Sequence, residues 1–457
     1  MAGRMSASRP TVPPPPASDV PARVGLVGLV TLLAWIALCR SWPALVAGYG
    51  LPGPQEVMSG PYAALLAMVL SGTAMAVWSV LVEKVHLNPS NGIDWGLKRP
   101  VGEVIHVSAT KIAGLWATWA VIGGLYCLGR WYWDGQYLFA MEVIGAAAIP
   151  VFVLSVPYVI WLDRYLVNPR DHAWHFGALL LGREAWDLHE VQKHWRAWII
   201  KGFFSAFMIS ILPPGFANVV ETDISQVAAN PVAIGTLLLE LMFVIDVQIG
   251  TVGYLCTFRP LDAHIRSGNP YLAGWLAALL CYPPFVFGFM GGGGVLQYEY
   301  NTAGWGYWFD GHPLVLWLWA ALLVFLTAIY AWATVAFGIR FSNLTYRGVL
   351  TNGPYRYTRH PAYLSKNTFW WLSVLPFMVT SGSLVDVVRN TFFLGCVSAI
   401  YYWRARTEEA HLLGEDAKYR EYHAWMAQHG LITSRLRKLG RRVNPRPLAP
   451  ASLQPAE

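Results

Sequence analysis

The residues best suited to do chemistry lie in two short charged stretches late in the chain. The first is Asn352-Gly353-Pro354-Tyr355-Arg356-Tyr357-Thr358-Arg359-His360-Pro361-Ala362-Tyr363. The second is Arg404-Ala405-Arg406-Thr407-Glu408-Glu409, and each borders strongly apolar sequence. Pro354 and Pro361 disfavour helical geometry in the residues before them, Gly353 and His360. The first stretch therefore reads as an ordered loop that re-enters helix at Pro361, a favoured first-turn residue. A helix N-terminus attracts an anion, and the planar fork of Arg359 beside it suits a carboxylate. If the second stretch continues a helix out of the membrane, Arg404 and Glu408 stand one turn apart. Glu408 and Glu409 could bind an ammonium group or ribose hydroxyls. Beyond Gly414 a further helix would put Tyr419, Tyr422 and Met426 on one apolar stripe, able to fold back as a lid.

An anion clamp, acids for a cation and aromatic faces for a flat ring together suit a zwitterionic amino-acid nucleotide such as S-adenosylmethionine. Its sulfonium is tolerated against aromatic faces by cation–π attraction. The same four charged residues, Arg359, His360, Glu408 and Glu409, could equally form an ionic cluster that anchors helices at the membrane edge. Residue types alone leave both readings open.

These stretches are positioned by a chain of 457 residues that is 55% hydrophobic and only 13% charged. A soluble protein carries about twice that charged fraction. Repeated apolar runs of helical length imply an all-α, polytopic transmembrane bundle, because lipid tolerates only helices and closed barrels. Ten spans are expected, at 24–47, 61–82, 108–129, 140–162, 198–220, 231–255, 271–294, 313–338, 364–382 and 385–403. On that reading all but Arg40, Arg130 and Arg389 of the 33 Lys and Arg fall on one side. The positive-inside rule makes that side cytoplasmic, with both termini and both charged stretches on it. The net charge of +7 then needs no nucleic acid to explain it. An Ala/Arg/Trp-rich composition points to a bacterial plasma membrane.

Other features carry less. Residues 1–23, with Pro13 to Pro16, read as a disordered tail. Loop 163–197 holds His172, His175, His189 and His194 among several tryptophans; an interfacial helix accounts for them better than a metal site. Val85-His86-Leu87-Asn88-Pro89 is faintly echoed by Leu166-Val167-Asn168-Pro169. Glu240 and Asp246 fall within a span, where an ionised carboxylate costs about 2.5–3.5 kcal/mol and normally faces a partner or a cavity. Gly291 to Gly294 lack the following Lys-Ser/Thr of a phosphate loop. Asn343-Leu344-Thr345 matches a glycosylation triplet on the wrong side of the membrane. The five cysteines are scattered singly within apolar sequence and read as small buried hydrophobes.

Gly353-Pro354-Tyr355, then Arg359-His360-Pro361-Ala362-Tyr363, then Arg406-Thr407-Glu408-Glu409 beyond a helical pair, resembles the isoprenylcysteine carboxyl methyltransferase family and its phospholipid methyltransferase relatives. The resemblance covers roughly residues 270–430 and implies an integral-membrane methyltransferase using S-adenosylmethionine at the cytosolic face. It implies cofactor contacts at Arg347, Gly348, Val349, Leu350, Tyr355, Arg359, His360, Pro361, Tyr363 and one of Glu408 and Glu409. It implies that Arg404 or Arg406 faces a lipid or lipid-linked acceptor, with no metal. Residues 24–257 would then be accessory helices, 258–430 the methyltransferase region and 431–457 a basic flexible tail. The chain departs from the family in three places. Leu364-Ser365-Lys366 follows the His-Pro stretch where a small residue is usual. Gly414-Glu415-Asp416-Ala417-Lys418-Tyr419 stretches the usual spacing, and Leu431-Ile432-Thr433 replaces an apolar ending.

The expected chemistry is in-line methyl transfer from a sulfonium to a membrane-borne nucleophile, with the protein supplying position and a water-poor cavity. A carboxylate acceptor needs no base; an amine acceptor must lose a proton, to His360 or a glutamate. Two rivals stand beside it. A membrane reductase of sterol-reductase type would use NAD(P)H and also carries an Arg-His motif before a helix. A non-catalytic transporter or scaffold would use the extra spans with Glu240 and Asp246, and would bind neither cofactor.

Overall fold

Long apolar runs become long helices. The computed structural model describes residues 13–182, 184–435 and Lys438. In chain order its α-helices are α1 (Ala22–Tyr49), α2 (Pro61–Leu81), α3 (Val101–Gly129), α4 (Leu138–Asp163), α5 (His172–Leu181), α6 (Leu188–Glu221), α7 (Ile224–Val227), α8 (Pro231–Leu255), α9 (Leu272–Leu279), α10 (Phe285–Phe289), α11 (Trp305–Trp308), α12 (Pro313–Phe337), α13 (Pro361–Val374), α14 (Leu384–Glu415) and α15 (Ala417–His429). Among the described residues eight of these, α1 to α4, α6, α8, α12 and α14, are long and apolar enough to cross a membrane. The chain is thus a polytopic helical membrane bundle. Its described strands are two dipeptides, β1 (Ser267–Gly268) and β2 (Thr345–Tyr346), paired antiparallel with Ser267 opposite Tyr346.

Two of the ten expected spans are not continuous helices. Segment 271–294 breaks into α9, of 8 residues, and α10, of 5 residues, around Pro283-Pro284. Proline lacks the N–H that a continuing helix needs. Segment 364–382 is covered only by α13, whose 14 residues end at Leu375 in a left-handed conformation. At 1.5 Å per residue α13 rises about 21 Å, short of a hydrocarbon core of about 30 Å. Both segments nevertheless join the same two ends of the bundle. Asn269 donates to the Thr407 carbonyl at 3.5 Å near the charged stretches. At the far end Thr302 donates to the Met378 carbonyl at 2.7 Å and Asn390 to that of Tyr300 at 2.8 Å. Apolar content predicts the crossings; it does not predict the breaks.

Helix α8 lies at the centre, packed against α1, α2, α6 and α12. Leu32, Met75, Leu212, Phe216, Ile249 and Val335 form its surrounding core. Helix association in lipid depends on close packing of small residues, and Gly25 shows why: a Cβ there would stand 1.7 Å from the Val335 carbonyl oxygen. Side-chain caps fix the helix starts, with Asp171 on α5, Asp187 on α6 and Asn230 on α8.

The His/Trp-rich loop resolves into α5 and the first turns of α6. His172 Nδ1 lies 3.2 Å from His194 Nδ1, and His194 Nε2 lies 2.8 Å from Thr118 Oγ1. His175 Nδ1 accepts the Asp187 N–H at 3.1 Å. Among the described residues no three His, Cys, Asp or Glu gather as a metal site needs. Lys111 instead ties this region together, 2.5 Å from Asp163 and 3.2 Å from Asp171. The two Asn-Pro loops lie side by side, joined by a bridge from Ile93 to Leu166.

Part of the expected disordered tail is ordered. Asp19 N–H donates to the Val349 carbonyl and Val349 N–H to the Asp19 carboxylate, both at 2.8 Å. Thr351 donates to the Pro16 carbonyl at 2.8 Å and Asn352 to that of Val20 at 2.7 Å. Composition misses this strap because hydrogen bonds and the single buried Val20 hold it, and not a run of apolar residues. Residues 1–12 of that tail, and 436–437 and 439–457 of the basic tail, lie outside the described residues.

Candidate active site

The loop before α13 is built around two backbone constraints. Gly353 adopts φ +56, which a side chain resists, and a Cβ there would press on Ala336 at 3.1 Å. Residues Gly353–Arg356 form a 3-10 turn, and Pro361 then opens α13 with His360 in a non-helical conformation before it. This delivers Arg359, His360 and Tyr363 to α14, the helix that carries the second charged stretch.

There the two glutamates divide the work. Glu409, with its side chain 4% exposed, lies 2.7 Å from Arg359 Nε and 2.9 Å from His360 Nε2 through one oxygen. Its other oxygen is 3.2 Å from Arg406 Nη1 and 4.0 Å from His423 Nε2. Burial, reinforced by the nearby Arg359 charge, pushes the His423 imidazole below its ordinary pKa. Glu408 accepts the Tyr363 hydroxyl at 2.5 Å and sits 3.4 Å from Arg404 Nε. Arg404, buried beneath it, donates to Asn343 Oδ1 at 2.5 Å and to the Tyr282 hydroxyl at 3.3 Å. Its guanidinium also faces the rings of Tyr282 and Tyr363, at 5.4 and 5.1 Å.

A cavity of about 160 Å³ runs between α12, α13, α14 and α15. Near the membrane edge its wall includes Leu350, Tyr355, Arg359, His360, Tyr419 and Tyr422; deeper along the helices come Tyr282, Tyr330, Lys366, Tyr401 and Arg404. Helix α15 folds back over this cavity as its apolar stripe implies. Tyr419, Tyr422 and Met426 are buried against Tyr346 and Val349, and the Tyr422 hydroxyl donates to the Tyr355 carbonyl at 2.6 Å. Burial raises the Tyr355 hydroxyl well above its ordinary pKa, so it stays protonated.

The remaining expected site residues divide into wall and scaffold. Arg347 lines the cavity, yet its guanidinium is spent on the chain itself. It donates to the carbonyls of Gly253 at 2.8 Å, Phe341 at 2.9 Å, Ile339 at 3.1 Å and also Ala263. Burial and the neighbouring Arg340 together pull its pKa below the usual arginine value. Gly348 takes φ +109 where a Cβ would meet Arg340 at 2.9 Å, and Val349 is pinned by Asp19. Leu350 packs on Val20 and Ala336. Pro361, Arg406 and Glu409 do not line the cavity: Pro361 starts α13, Arg406 is 61% exposed, and Glu409 stands behind Arg359 and His360. Of the two arginines offered for the acceptor side, the structure turns Arg404 inward.

Four residues escaped the sequence reading of the site. Asn343 was visible only as part of a glycosylation triplet. Tyr282 fell inside an apparently unbroken span, although the adjacent Pro283-Pro284 marked the break. Tyr330 looked like ordinary span sequence, and Asp19 lay in a tail read as disordered.

Residues 305–426, from α11 into α15, match the family described as "Protein of unknown function (DUF1295)". That region carries both charged stretches and most of the cavity wall. Neither a curated protein nor a solved structure matched the chain.

Proposed function

We propose that this protein is an integral-membrane methyltransferase that uses S-adenosylmethionine and modifies a lipid or lipid-linked carboxylate or amine. The observation that carries this reading is the division of the two neighbouring glutamates at one cavity. Glu409 aims Arg359 and His360 from behind, while Glu408 faces the space with Tyr363 and Arg404. The residues fit such a cofactor. Arg359 offers the rest of its fork to a carboxylate, Glu408 offers an acid to an ammonium or hydroxyls, and Tyr355 and Tyr419 offer flat apolar faces. When bound, the cofactor supplies a methyl group made electrophilic by its sulfonium.

The chain's own residues do the rest. Helix α15 and the Tyr363 and Tyr401 rings exclude water, and Arg404 fixes the acceptor side through Asn343 and Tyr282. For an amine acceptor Glu408 is better placed than His360 to take a proton, because His360 Nε2 is already engaged by Glu409. The excess of Lys and Arg around the charged stretches supports a cytosolic site, in a bacterial plasma membrane.

Calorimetric titration of the detergent-purified protein with S-adenosylhomocysteine, and with NADPH in parallel, tests the reading. Micromolar binding of the first, lost in Arg359→Ala, is expected. Binding of NADPH alone would make the protein a reductase, and binding of neither would reduce the charges to helix anchors.

A further inference from the structure

The charges that line the cavity do not balance. Arg340, Arg347, Arg359, Lys366 and Arg404 contribute to its wall, whereas Glu408 is the one acid there among the described residues. Most of these cations are already answered. Arg340 pairs with Asp262 at 2.8 Å, Arg347 with backbone carbonyls, Arg359 with Glu409, and Arg404 with Glu408 and Asn343.

Lys366 is different. Among the described residues its ammonium has no acid within 4.0 Å and no hydrogen bond. It rests over the rings of Tyr330, Trp370 and Tyr401 at 5.3, 5.1 and 5.7 Å. Aromatic faces hold a desolvated cation in place without neutralising it. Asp246 on α8 lies on this side but beyond ion-pair distance; it takes the Thr334 hydroxyl and does not line the cavity. A lysine within a span usually stretches its stem toward the lipid headgroups. Lys366, two residues past the first turn of α13, instead turns into a protein cavity. Arg404 lines the same cavity and faces the Tyr363 ring at 5.1 Å, and that ring's centroid is 5.8 Å from that of Tyr401, over which Lys366 rests.

We propose that Lys366 and Arg404 form an oxyanion-binding subsite at the deep end of the cavity, and that the acceptor is an amphiphile whose head bears a phosphate or carboxylate. The word acceptor rests on the methyl-transfer reading; the subsite does not, so the two can fail separately. The anion supplies the missing negative charge next to Lys366, and the surrounding rings receive the first carbons of the attached chain. Lys366 is a specificity residue here: it fixes the head so that a neighbouring atom of the acceptor meets the cofactor.

Hexyl phosphate, hexanoate, hexanol and hexylamine serve as soluble probes of the full-length protein in an uncharged detergent, read by calorimetry. Hexyl phosphate or hexanoate should bind at least tenfold more tightly than hexanol, with hexylamine weakest. The stronger of the two anions names the head group, and weaker competition by inorganic phosphate would show that the alkyl chain belongs to the ligand. Lys366→Met should erase the preference and Lys366→Arg should retain it, with Lys366→Gln as the substitute if the methionine variant does not fold. Equal affinity for hexyl phosphate and hexanol, or a preference that survives Lys366→Met, overturns the proposal. Titration with S-adenosylhomocysteine in the same samples separates the claims. An anion preference without cofactor binding leaves the subsite standing and removes the methyltransferase. Cofactor binding without the preference does the reverse.

Discussion

Exchanging Glu409 for glutamine removes one charge and almost no volume, and the structure says how much should follow. The carboxylate holds Arg359 at 2.7 Å and His360 at 2.9 Å, with Arg406 at 3.2 Å. Hydrogen bonds to charged groups contribute about 1.5–3 kcal/mol each. The Arg406 pair adds little, because that side chain is 61% exposed. Breaking a fully buried pair costs about 3–5 kcal/mol. Arg359 and His360 are 17% and 22% exposed, so water recovers part of that cost. The amide oxygen also keeps one neutral hydrogen bond. A net loss of about 2–3 kcal/mol is expected from these principles. It should appear twice. The thermal midpoint falls, because Glu409 joins the start of α13 to α14. Affinity for S-adenosylhomocysteine falls by about 30-fold to 150-fold, because Arg359 loses the partner that aims it. Glu408→Gln is the comparison: its carboxylate faces the cavity but also pairs with the buried Arg404 at 3.4 Å, so turnover should drop and the midpoint should fall as well, without the loss of Arg359 positioning. Tryptophan-fluorescence melting and calorimetry on both variants read these quantities. An unchanged midpoint together with unchanged affinity in Glu409→Gln would refute the reasoning.

Arg347→Lys should lower the melting midpoint without a selective loss of cofactor affinity, because a lysine cannot reach the four carbonyls that the guanidinium serves. A loss of affinity at constant stability would return Arg347 to the binding residues. Asp19→Ala removes the acceptor for Val349 N–H and the 2.5 Å partner of Lys418. Hydrogen exchange at Val349 should then speed up by at least tenfold, on the order of 1.5 kcal/mol of local protection; an unchanged rate would show that the strap is held elsewhere. Burial, opposed by Asp171, holds His172 down at about 4, against 6.5 unperturbed. A depressed histidine contributes its full stability above pH 6.5 and loses it as pH falls toward 4, by up to about 1.4 kcal/mol per pH unit. His172→Gln should flatten the stability profile across that window, and superimposable profiles would refute the shift. Tyr282→Phe removes the hydroxyl that meets Asn343 at 3.0 Å and Arg404 at 3.3 Å. Turnover should fall while cofactor affinity holds, and a loss of affinity instead would place Tyr282 on the cofactor side.

How far these features are legible in the sequence depends on which physics encodes them. Helix length in lipid is written in hydropathy, and the eight long helices follow it. The loop from Gly353 to Pro361 is written in two prolines and a glycine, whose backbone restrictions are local. The stripe of Tyr419, Tyr422 and Met426 is written in a helical period. Pairing is another matter. Nothing local tells Glu409 from Glu408, yet one stands behind Arg359 and His360 while the other faces the cavity. That division is set by the rotation of α14 against α13, a tertiary fact. The same holds for Asn343, which matters only because β2 brings its loop under Arg404. Arg347 looks like a ligand residue by position and lines the cavity, but its guanidinium is bonded to four backbone carbonyls, which no local pattern foretells.

The two interrupted crossings are where the sequence reading and the site converge. Irregular backbone at membrane depth is tolerated only where it is buried in protein or lines a cavity. Had 271–294 formed one straight helix, Tyr282 would be a lipid- or core-facing residue in mid-span. The break at Pro283-Pro284 instead leaves its hydroxyl with Asn343 and Arg404. Had α13 continued past Leu375 to full length, it would pack along its neighbours as an ordinary span. Its short course instead holds Tyr363, Lys366 and Trp370 near Tyr401 and beside the cavity. The breaks weaken two helices and so cost stability in lipid, where each freed backbone group must find a partner. A fold that served only to anchor charged residues would gain nothing from that cost. The break beside Tyr282 and the short helix that starts at Pro361 both deliver polar or cationic side chains to one cavity, which favours a cavity made to hold a polar ligand.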